Sequence, residues 1–219
     1  EIEVEPGFQI IDPNFRLAIS MAGGETKIDA GSRLENASTR FLRYLTDKTG
    51  TFLKAGYPVS GQLEGATLLI EIEEEAVLEL GNDESYELEV LANKISLKAR
   101  TDLGALRGLS TLKQLITVQN GAYGFPQVKI KDKPRFPWRG LMLDVSRHFM
   151  PIDVVKRNLD AMAFVKLNVL HWHLSDDQGF RVEVKSLPNL HERASDGMYY
   201  TQDQIRDIVT YADERGIRV

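Results

Sequence analysis

The sequence predicts a two-part α/β protein, with an α+β domain over residues 1–133 and a parallel β-α-β-α-β unit over residues 134–219. The first observation behind this division is that strand-like and helical segments mix without strict alternation in the first part, whereas they alternate in the second. The second observation is a segment between the two parts, residues 131–137, that contains two prolines and three basic side chains. Such a composition is typical of a linker.

The elements of the first part follow from the spacing of apolar side chains. Apolar residues recur at helical spacing in residues 32–48, which predicts an amphipathic helix. Thr101 or Asp102 can cap a second helix, and the adjacent glycines Gly23 and Gly24 indicate a turn. Strands are expected in four segments: 66–73, 86–92, 94–100 and 127–131.

The second part alternates between strands and helices. Residues 141–145 are largely apolar, as expected of a strand that is buried on both faces. A helix with Pro151 in its first turn leads to a second strand at 168–174. Another helix, with a capping box at Thr201, leads to a third strand at 217–219. This order predicts parallel strands with right-handed crossovers, and both barrels and doubly wound sheets begin in this way.

Composition excludes several classes of function. The net charge of −5 argues against nucleic-acid binding, which needs a basic surface. No run of 18 apolar residues is present, so we expect no membrane-spanning segment. The absence of cysteine excludes disulfides, thiol catalysis and cysteine-bound metals. We expect a periplasmic or secreted bacterial protein, with the cytoplasm as the alternative.

The densest cluster of chemically active side chains begins at His171, at the end of the second predicted strand. Carboxyl ends of parallel strands are where α/β folds place their binding sites. Strand geometry puts His171 and His173 on one face and Trp172 on the other. Two histidines on one face, with carboxylates nearby, could hold zinc, although a complete four-ligand site is not evident. The alternative is hydrogen-bonded histidines and loop-capping aspartates.

A second cluster follows the first strand of this part. Asp144, Ser146 and His148 contain the residue types of a nucleophilic serine site, but Ser146 lacks the Gly-x-Ser-x-Gly turn that would expose it. These residues are better explained by hydrogen bonding at the strand end. Arg139, at the start of the strand, is either part of a surface ion pair or a forked donor for anions or sugar hydroxyls.

Two motifs resemble those of family 20 glycoside hydrolases, the β-N-acetylhexosaminidases. The opening barrel strand of that family resembles residues 134–148, PRFPWRGLMLDVSRH, and its second-strand motif resembles residues 171–179, HWHLSDDQG. Residues 162–174 and 199–219 fit in order and spacing. Residues 101–109 resemble a helix of the α+β domain that precedes the barrel in this family.

The resemblance implies an α+β domain followed by a (β/α)₈ TIM barrel. It also implies a metal-free and cofactor-free hydrolase that removes terminal, non-reducing β-linked N-acetylglucosamine or N-acetylgalactosamine from glycans, with retention. In this family the substrate's acetamide oxygen attacks the anomeric carbon, an Asp orients that acetamide, and a Glu is general acid and then base. Because this Asp-Glu pair comes later in the family than Val219, we expect a chain that is truncated within the barrel and inactive alone.

The resemblance also assigns individual residues. Arg139 matches the arginine that holds the 3- and 4-hydroxyls of the sugar, and Asp176 matches an aspartate that supports the acid Glu through a later histidine. Trp172 and Asp177 are expected to be structural. Expected partners are N-acetylhexosamine-terminated glycans, with self-association through the open barrel, and neither nucleic acid nor membranes. The alternative function is a non-catalytic carbohydrate-binding or scaffold module.

Overall fold

The computed structural model describes residues 1–21, 31–57 and 64–219. These residues form two compact units, Glu1–Pro137 and Trp138–Val219. Within the described ranges, no helix is long and apolar enough to cross a membrane.

The N-terminal unit is a mixed sheet with two helices. Its strands are β1 (Ile2–Ile10), β2 (Leu17–Met21), β3 (Leu68–Glu74), β4 (Tyr86–Val90), β5 (Ile95–Thr101), β6 (Thr117–Gln119) and β7 (Ala122–Asp132). Its helices are α1 (Arg33–Thr49) and α2 (Asp102–Leu115). The strand order is β1-β7-β4-β5-β3-β2, and β6 pairs with β7. The pairs β2–β3 and β3–β5 are parallel, whereas β1, β4 and β6 form antiparallel pairs.

Local capping sets both ends of α1 and the start of α2. The Ser32 side chain accepts a hydrogen bond from the backbone N–H of Glu35 at the start of α1. Gly50 ends α1 with a left-handed φ of 70°, which glycine adopts without steric strain. Thr101 caps α2 by accepting from the backbone N–H of Gly104. The helices predicted from periodicity are therefore confirmed.

One face of this sheet packs against the helices. Alternate side chains of the central strands are buried there with the apolar stripe of α1: Leu68, Ile70, Ile72, Leu88, Val90, Ile95 and Leu97, with Leu34, Phe41 and Leu45. The other face is charged and exposed, and neighbouring strands pair there, as in Lys98–Glu71 at 3.2 Å and Lys131–Glu87 at 2.8 Å.

The predicted strands correspond to β3, β4, β5 and β7, and three strands were missed. In β1, Pro6 and Gly7 interrupt the alternation, and the pairing with β7 shifts register between Val4 and Phe8. β2 and β6 are short, so their patterns carry little periodic signal. The turn predicted at Gly23 and Gly24 lies outside the described residues.

The C-terminal unit alternates strands and helices as predicted. Its elements are β8 (Gly140–Asp144), α3 (Ile152–Phe164), β9 (Val169–His173), β10 (Ser175–Asp176), β11 (Gly179–Phe180), α4 (Asn189–Arg193) and α5 (Gln202–Asp213). β8 and β9 are parallel, and β10 and β11 form a short antiparallel hairpin. Thr201 and Gln204 form the predicted capping box of α5.

Two predictions for this unit need correction. Residues 141–145 were expected to be buried on both faces, but Met142 is 54% exposed while the adjacent Leu143 is only 8% exposed. In the described part of the chain, helices therefore cover one face of β8 and leave the other exposed. In place of a strand at 217–219, the structure has a single parallel bridge between Val169 and Arg218.

Candidate active site at the carboxyl ends of two parallel strands

The carboxyl ends of β8 and β9 lie side by side. Asp144 and His173 are the last residues of their strands and are opposite each other in the register. Because the strands are parallel, the segments that follow them leave from the same edge of the sheet. Arg147 follows β8 and Asp176 follows β9, so both side chains reach this edge.

Asp144 fixes the turn after β8. Its Oδ1 accepts hydrogen bonds from the backbone N–H groups of Ser146 and Arg147, both at 3.1 Å. Its Oδ2 accepts from Nη1 of Arg147 at 2.6 Å. The hydrogen bonds from Arg147 lower the pKa of Asp144, and its side chain makes the largest contribution. The Asp144 carboxylate therefore orients both the backbone and the guanidinium of Arg147.

The Arg147 guanidinium connects the two strand ends. Its Nη2 lies 2.6 Å from Oδ2 of Asp176, and its Nε donates to Oε1 of Gln178 at 3.0 Å. The side chain is nevertheless 51% exposed. A planar fork that is held between two carboxylates while half of it faces solvent is preorganised to donate to a ligand.

Asp176 completes the cluster. Its Oδ2 is 3.0 Å from Nε2 of His173, and its Oδ1 accepts from the backbone N–H of Asp177 at 2.9 Å. The backbone N–H of Asp177, the ring of His173 and the charge of Arg147 lower the pKa of Asp176. Both carboxyl groups of this edge are therefore ionised at neutral pH.

Arg139 lies at the opposite end of the strand pair. It precedes Gly140, the first residue of β8, and its Nε donates to the backbone carbonyl of Lys166 at 2.8 Å. Its backbone N–H donates to Oδ1 of Asn168 at 2.9 Å. The structure does not bring Arg139 and Asp176 together, and a sugar-binding role for Arg139 stays a prediction.

Sequence reasoning overlooked Arg147. The signal was present, because Arg147 lies three residues after Asp144, on the carboxyl side of a predicted parallel strand. Parallel α/β folds place their sites on that side.

Ser146 is unsuited to nucleophilic attack. It is fully buried, and its hydroxyl donates to the backbone carbonyl of Gly179 at 2.7 Å. The hydroxyl thus ties the end of β8 to the hairpin. Trp172 is also buried, with its ring centroid 4.5 Å from that of Tyr200.

Within residues 1–21, 31–57 and 64–219, the two histidines of β9 are not grouped with further metal-ligating side chains. The ring centroids of His171 and His173 are 6.0 Å apart, and His173 is paired with Asp176. In the part of the chain that the structure describes, no three His, Cys, Asp or Glu side chains are grouped closely enough to hold a metal ion.

Comparisons with known proteins cover both units. A family model described as "Glycosyl hydrolase family 20, catalytic domain" matches residues 136–219, and one described as "beta-acetyl hexosaminidase like" matches residues 12–115. The chain is 43% identical to beta-hexosaminidase subunit beta of Rattus norvegicus, over all of this chain and 42% of that protein. It is 36% identical to beta-hexosaminidase subunit A1 of Dictyostelium discoideum, over 92% of this chain and 38% of that protein.

Solved structures match the fold as well. The chitobiase of Flavobacterium johnsoniae superposes with a TM-score of 0.92 at 50% identity, over 99% of this chain and 32% of that chain. The exo-β-N-acetylglucosaminidase of Vibrio harveyi, solved in complex with N-acetylglucosamine, gives a TM-score of 0.74 at 29% identity, over 99% of this chain and 34% of that chain. The chain spans less than half the length of each of these four relatives. Its two family matches and these relatives show that it belongs to glycosyl hydrolase family 20, a family of glycoside hydrolases.

Proposed function

We propose that the chain is part of a β-N-acetylhexosaminidase. Residues 1–133 are its N-terminal α+β domain, and residues 134–219 are the first portion of its (β/α)₈ catalytic barrel. The enzyme removes terminal, non-reducing β-linked N-acetylglucosamine or N-acetylgalactosamine from glycans by substrate-assisted hydrolysis with retention. The hexosaminidase names of the relatives support this substrate class.

The observation that carries the proposal is the charged cluster at the carboxyl ends of β8 and β9. Asp144, Arg147, His173 and Asp176 are joined by hydrogen bonds and ion pairs of 2.6–3.1 Å. Barrel enzymes bind substrate and carry out chemistry at this end of the barrel, whereas residues at the amino end contribute to stability.

Arg147 is the arginine of this unit that is best suited to hold sugar hydroxyls. Its half-exposed fork can donate to two vicinal hydroxyls, and Asp144 and Asp176 offset its charge and restrict its rotamers. Arg139 matches the family arginine by its motif position, but its Nε already donates to a backbone carbonyl at the amino end of the strand. We therefore assign sugar binding to Arg147 in preference to Arg139.

Asp176 acts through its neighbours. An ionised carboxylate that accepts from an imidazole favours the protonated form of that imidazole. Through a histidine later in the family sequence, such a carboxylate raises the positive charge next to the acid Glu and influences its pKa. The pairing of Asp176 with His173 and Arg147 keeps its carboxylate ionised and fixed in position.

The first test uses the enzyme with its complete catalytic domain and an aryl N-acetyl-β-glucosaminide. We expect release of the aryl group by that enzyme but none by the polypeptide of residues 1–219. The acid Glu and the acetamide-orienting Asp are assigned to later residues, and each contributes orders of magnitude in rate. An inactive complete enzyme would refute the proposed function.

The second test separates the two arginines in the same enzyme. We expect Arg147→Ala to lower kcat/KM by about a hundredfold or more, since charged hydrogen bonds to the sugar are lost. Arg206→Ala, which removes an exposed arginine paired with Asp203 on α5, is the matched control and should change kcat/KM little. A larger loss in Arg139→Ala than in Arg147→Ala would restore the assignment to Arg139.

A further inference from the structure

Arg181, the residue after β11, is a buried cation that is bound by carbonyl oxygens. Only 4% of its surface is exposed. Its Nε donates to the carbonyl of Val145 at 3.2 Å, and its Nη2 donates to that of Ser146 at 2.9 Å. Its Nη1 donates to the carbonyls of Ser195 at 2.6 Å and Met198 at 3.1 Å. One guanidinium thus joins two segments that are distant in sequence.

This environment is specific for a guanidinium. Among the residues that the structure describes, no carboxylate forms an ion pair with Arg181, so carbonyl dipoles and the ring of Phe149, 5.9 Å from Cζ, offset the cost of its burial. Four acceptors approach three different nitrogens of one plane. A lysine has a single nitrogen and no planar fork, so it cannot reproduce this set of hydrogen bonds.

Two of the acceptors adjoin a charged residue of the site, because Val145 and Ser146 directly precede Arg147. The other two, Ser195 and Met198, follow α4. The main chain of Arg181 strengthens the connection, because its N–H donates to the carbonyl of Leu174 and its carbonyl accepts from the N–H of Tyr200. Arg181 therefore holds the backbone on both sides of the Arg147–Asp176 ion pair.

Gly179 provides the space for this side chain. A Cβ at position 179 would lie 2.4 Å from Cζ of Arg181, well inside van der Waals contact. A flexible side chain could move away, but this guanidinium is fixed by four hydrogen bonds. A side chain at position 179 would therefore displace Arg181 or the hairpin itself.

We propose that Arg181 is a positioning residue that holds Arg147 against Asp176 at the carboxyl edge of β8 and β9. It touches neither substrate nor the reacting atoms and acts through the backbone on either side of the pair. This inference rests on the proposed function for its kinetic consequence only. Its structural consequence, the geometry of the ion pair, is independent of catalysis.

The test is made in the enzyme with its complete catalytic domain, by crystal structures and steady-state kinetics of Arg181→Lys and Gly179→Ala. In both variants we expect the Arg147–Asp176 separation, 2.6 Å here, to exceed about 4 Å, the limit of an ion pair. We also expect kcat/KM to fall at least about tenfold in protein that remains folded.

Arg215→Lys is the matched control. Arg215 is also a buried arginine of this unit, 7% exposed, and its Nε is 2.6 Å from Oδ1 of Asp160 on α3. We expect this variant to lose thermal stability, to keep the Arg147–Asp176 contact and to keep kcat/KM within about twofold.

The outcomes are distinguishable. Retention of the ion pair in both Arg181→Lys and Gly179→Ala would overturn the inference, as would an equal loss of kcat/KM in Arg215→Lys. A wild-type enzyme without hydrolase activity would refute the proposed function, and the ion-pair distance in the variants would still decide the inference about Arg181.

Discussion

The two units differ in the sheet face that is not covered by helices. In the N-terminal unit, helices cover one face and the other carries paired charges, such as Lys131 with Glu87. In the C-terminal unit, helices also cover one face, but the other exposes Met142 and, opposite it in the register, His171. The N-terminal surface is charged and well solvated, whereas the C-terminal surface combines an exposed apolar side chain with an imidazole that can take part in chemistry.

The positions of the charge pairs sharpen this difference. On the N-terminal sheet, Lys129 lies between Glu5 at 3.4 Å and Glu89 at 3.3 Å, and such exposed pairs mainly favour the correct strand register. In the C-terminal unit, Arg147 lies between Asp144 and Asp176 at the ends of the strands. The same kind of pairing therefore supports the fold on a sheet face, and at the strand ends it orients Arg147 in the proposed binding site.

The largest expected effect is on the free energy of unfolding, when an apolar side chain is removed from each unit of the polypeptide of residues 1–219. Phe41 is fully buried, so Phe41→Ala should lower the free energy of unfolding of the N-terminal unit by about 3–5 kcal/mol. Met142 is 54% exposed, so Met142→Ala should change the free energy of unfolding of the C-terminal unit by less than about 0.5 kcal/mol.

Urea denaturation can separate the two units. Both tryptophans, Trp138 and Trp172, belong to the C-terminal unit, so fluorescence follows that unit while far-UV circular dichroism follows both. A loss for Met142→Ala as large as that for Phe41→Ala would mean that the exposed face of β8 is packed in solution.

Hydrogen exchange in the same polypeptide compares the backbones directly. We expect the amides of β8 and β9 to exchange at least about a hundredfold faster than those of β4 and β5. β8 and β9 form a two-stranded sheet, whereas β4 and β5 each have a neighbour on both sides in the seven-stranded sheet, so fewer contacts oppose opening of β8 and β9. Sedimentation is the necessary companion, since self-association through the exposed face and open edges would protect these amides. Equal protection in a monomer would contradict the expectation.

The smallest expected effect is the response to alkaline pH. Burial raises the pKa of Tyr200 to about 12, while an unfolded tyrosine titrates near about 10. Between these values the folded unit keeps a proton that the unfolded chain has lost, so the stability of the C-terminal unit should fall as pH rises from about 10 to about 12. In Tyr200→Phe this part of the loss should disappear.

The N-terminal unit provides the comparison for this experiment. Burial also raises the pKa of Tyr86, whose hydroxyl is 2.6 Å from Oγ1 of Thr111. Tyr200→Phe should therefore leave the alkaline loss of the N-terminal unit unchanged, and Tyr86→Phe should reduce it. Urea midpoints at about pH 9 and about pH 11 measure both effects. If the fluorescence midpoint falls as much between these pH values in Tyr200→Phe as in the wild-type chain, Tyr200 does not cause the loss.

Sequence alone determined those local elements whose signal lies within a few neighbouring residues. The starts of α2 and α5 were predicted from Thr101 and Thr201, because a capping side chain bonds to a backbone N–H only three residues away. Strand β5 was predicted from alternation within a few residues. The alternating pattern after residue 138 likewise indicated parallel strands, and with them the edge on which His173 and Asp176 lie.

Tertiary structure decided what depends on pairing between distant segments. β1 escaped prediction because Pro6 and Gly7 interrupt its alternation, and only pairing with β7, with Ile2 opposite Ile130, defines the strand. The buried ion pair of Arg107 with Glu84 joins residues 23 positions apart. Neither contact has a local pattern in the sequence, because the partners meet only after the sheet and helices have assembled.

The candidate site divides in the same way. Motif position singled out Arg139, but only the parallel pairing of β8 with β9 shows that Arg147 shares an edge with Asp176 while Arg139 lies at the other end. The role proposed for Arg181 could not be inferred from sequence either, because its hydrogen bonds to Val145 and Ser146 span 36 and 35 residues. Capping and periodicity act over a few residues and can be read from sequence, whereas the direction of a side chain at a strand end depends on partners that only the folded chain brings into contact.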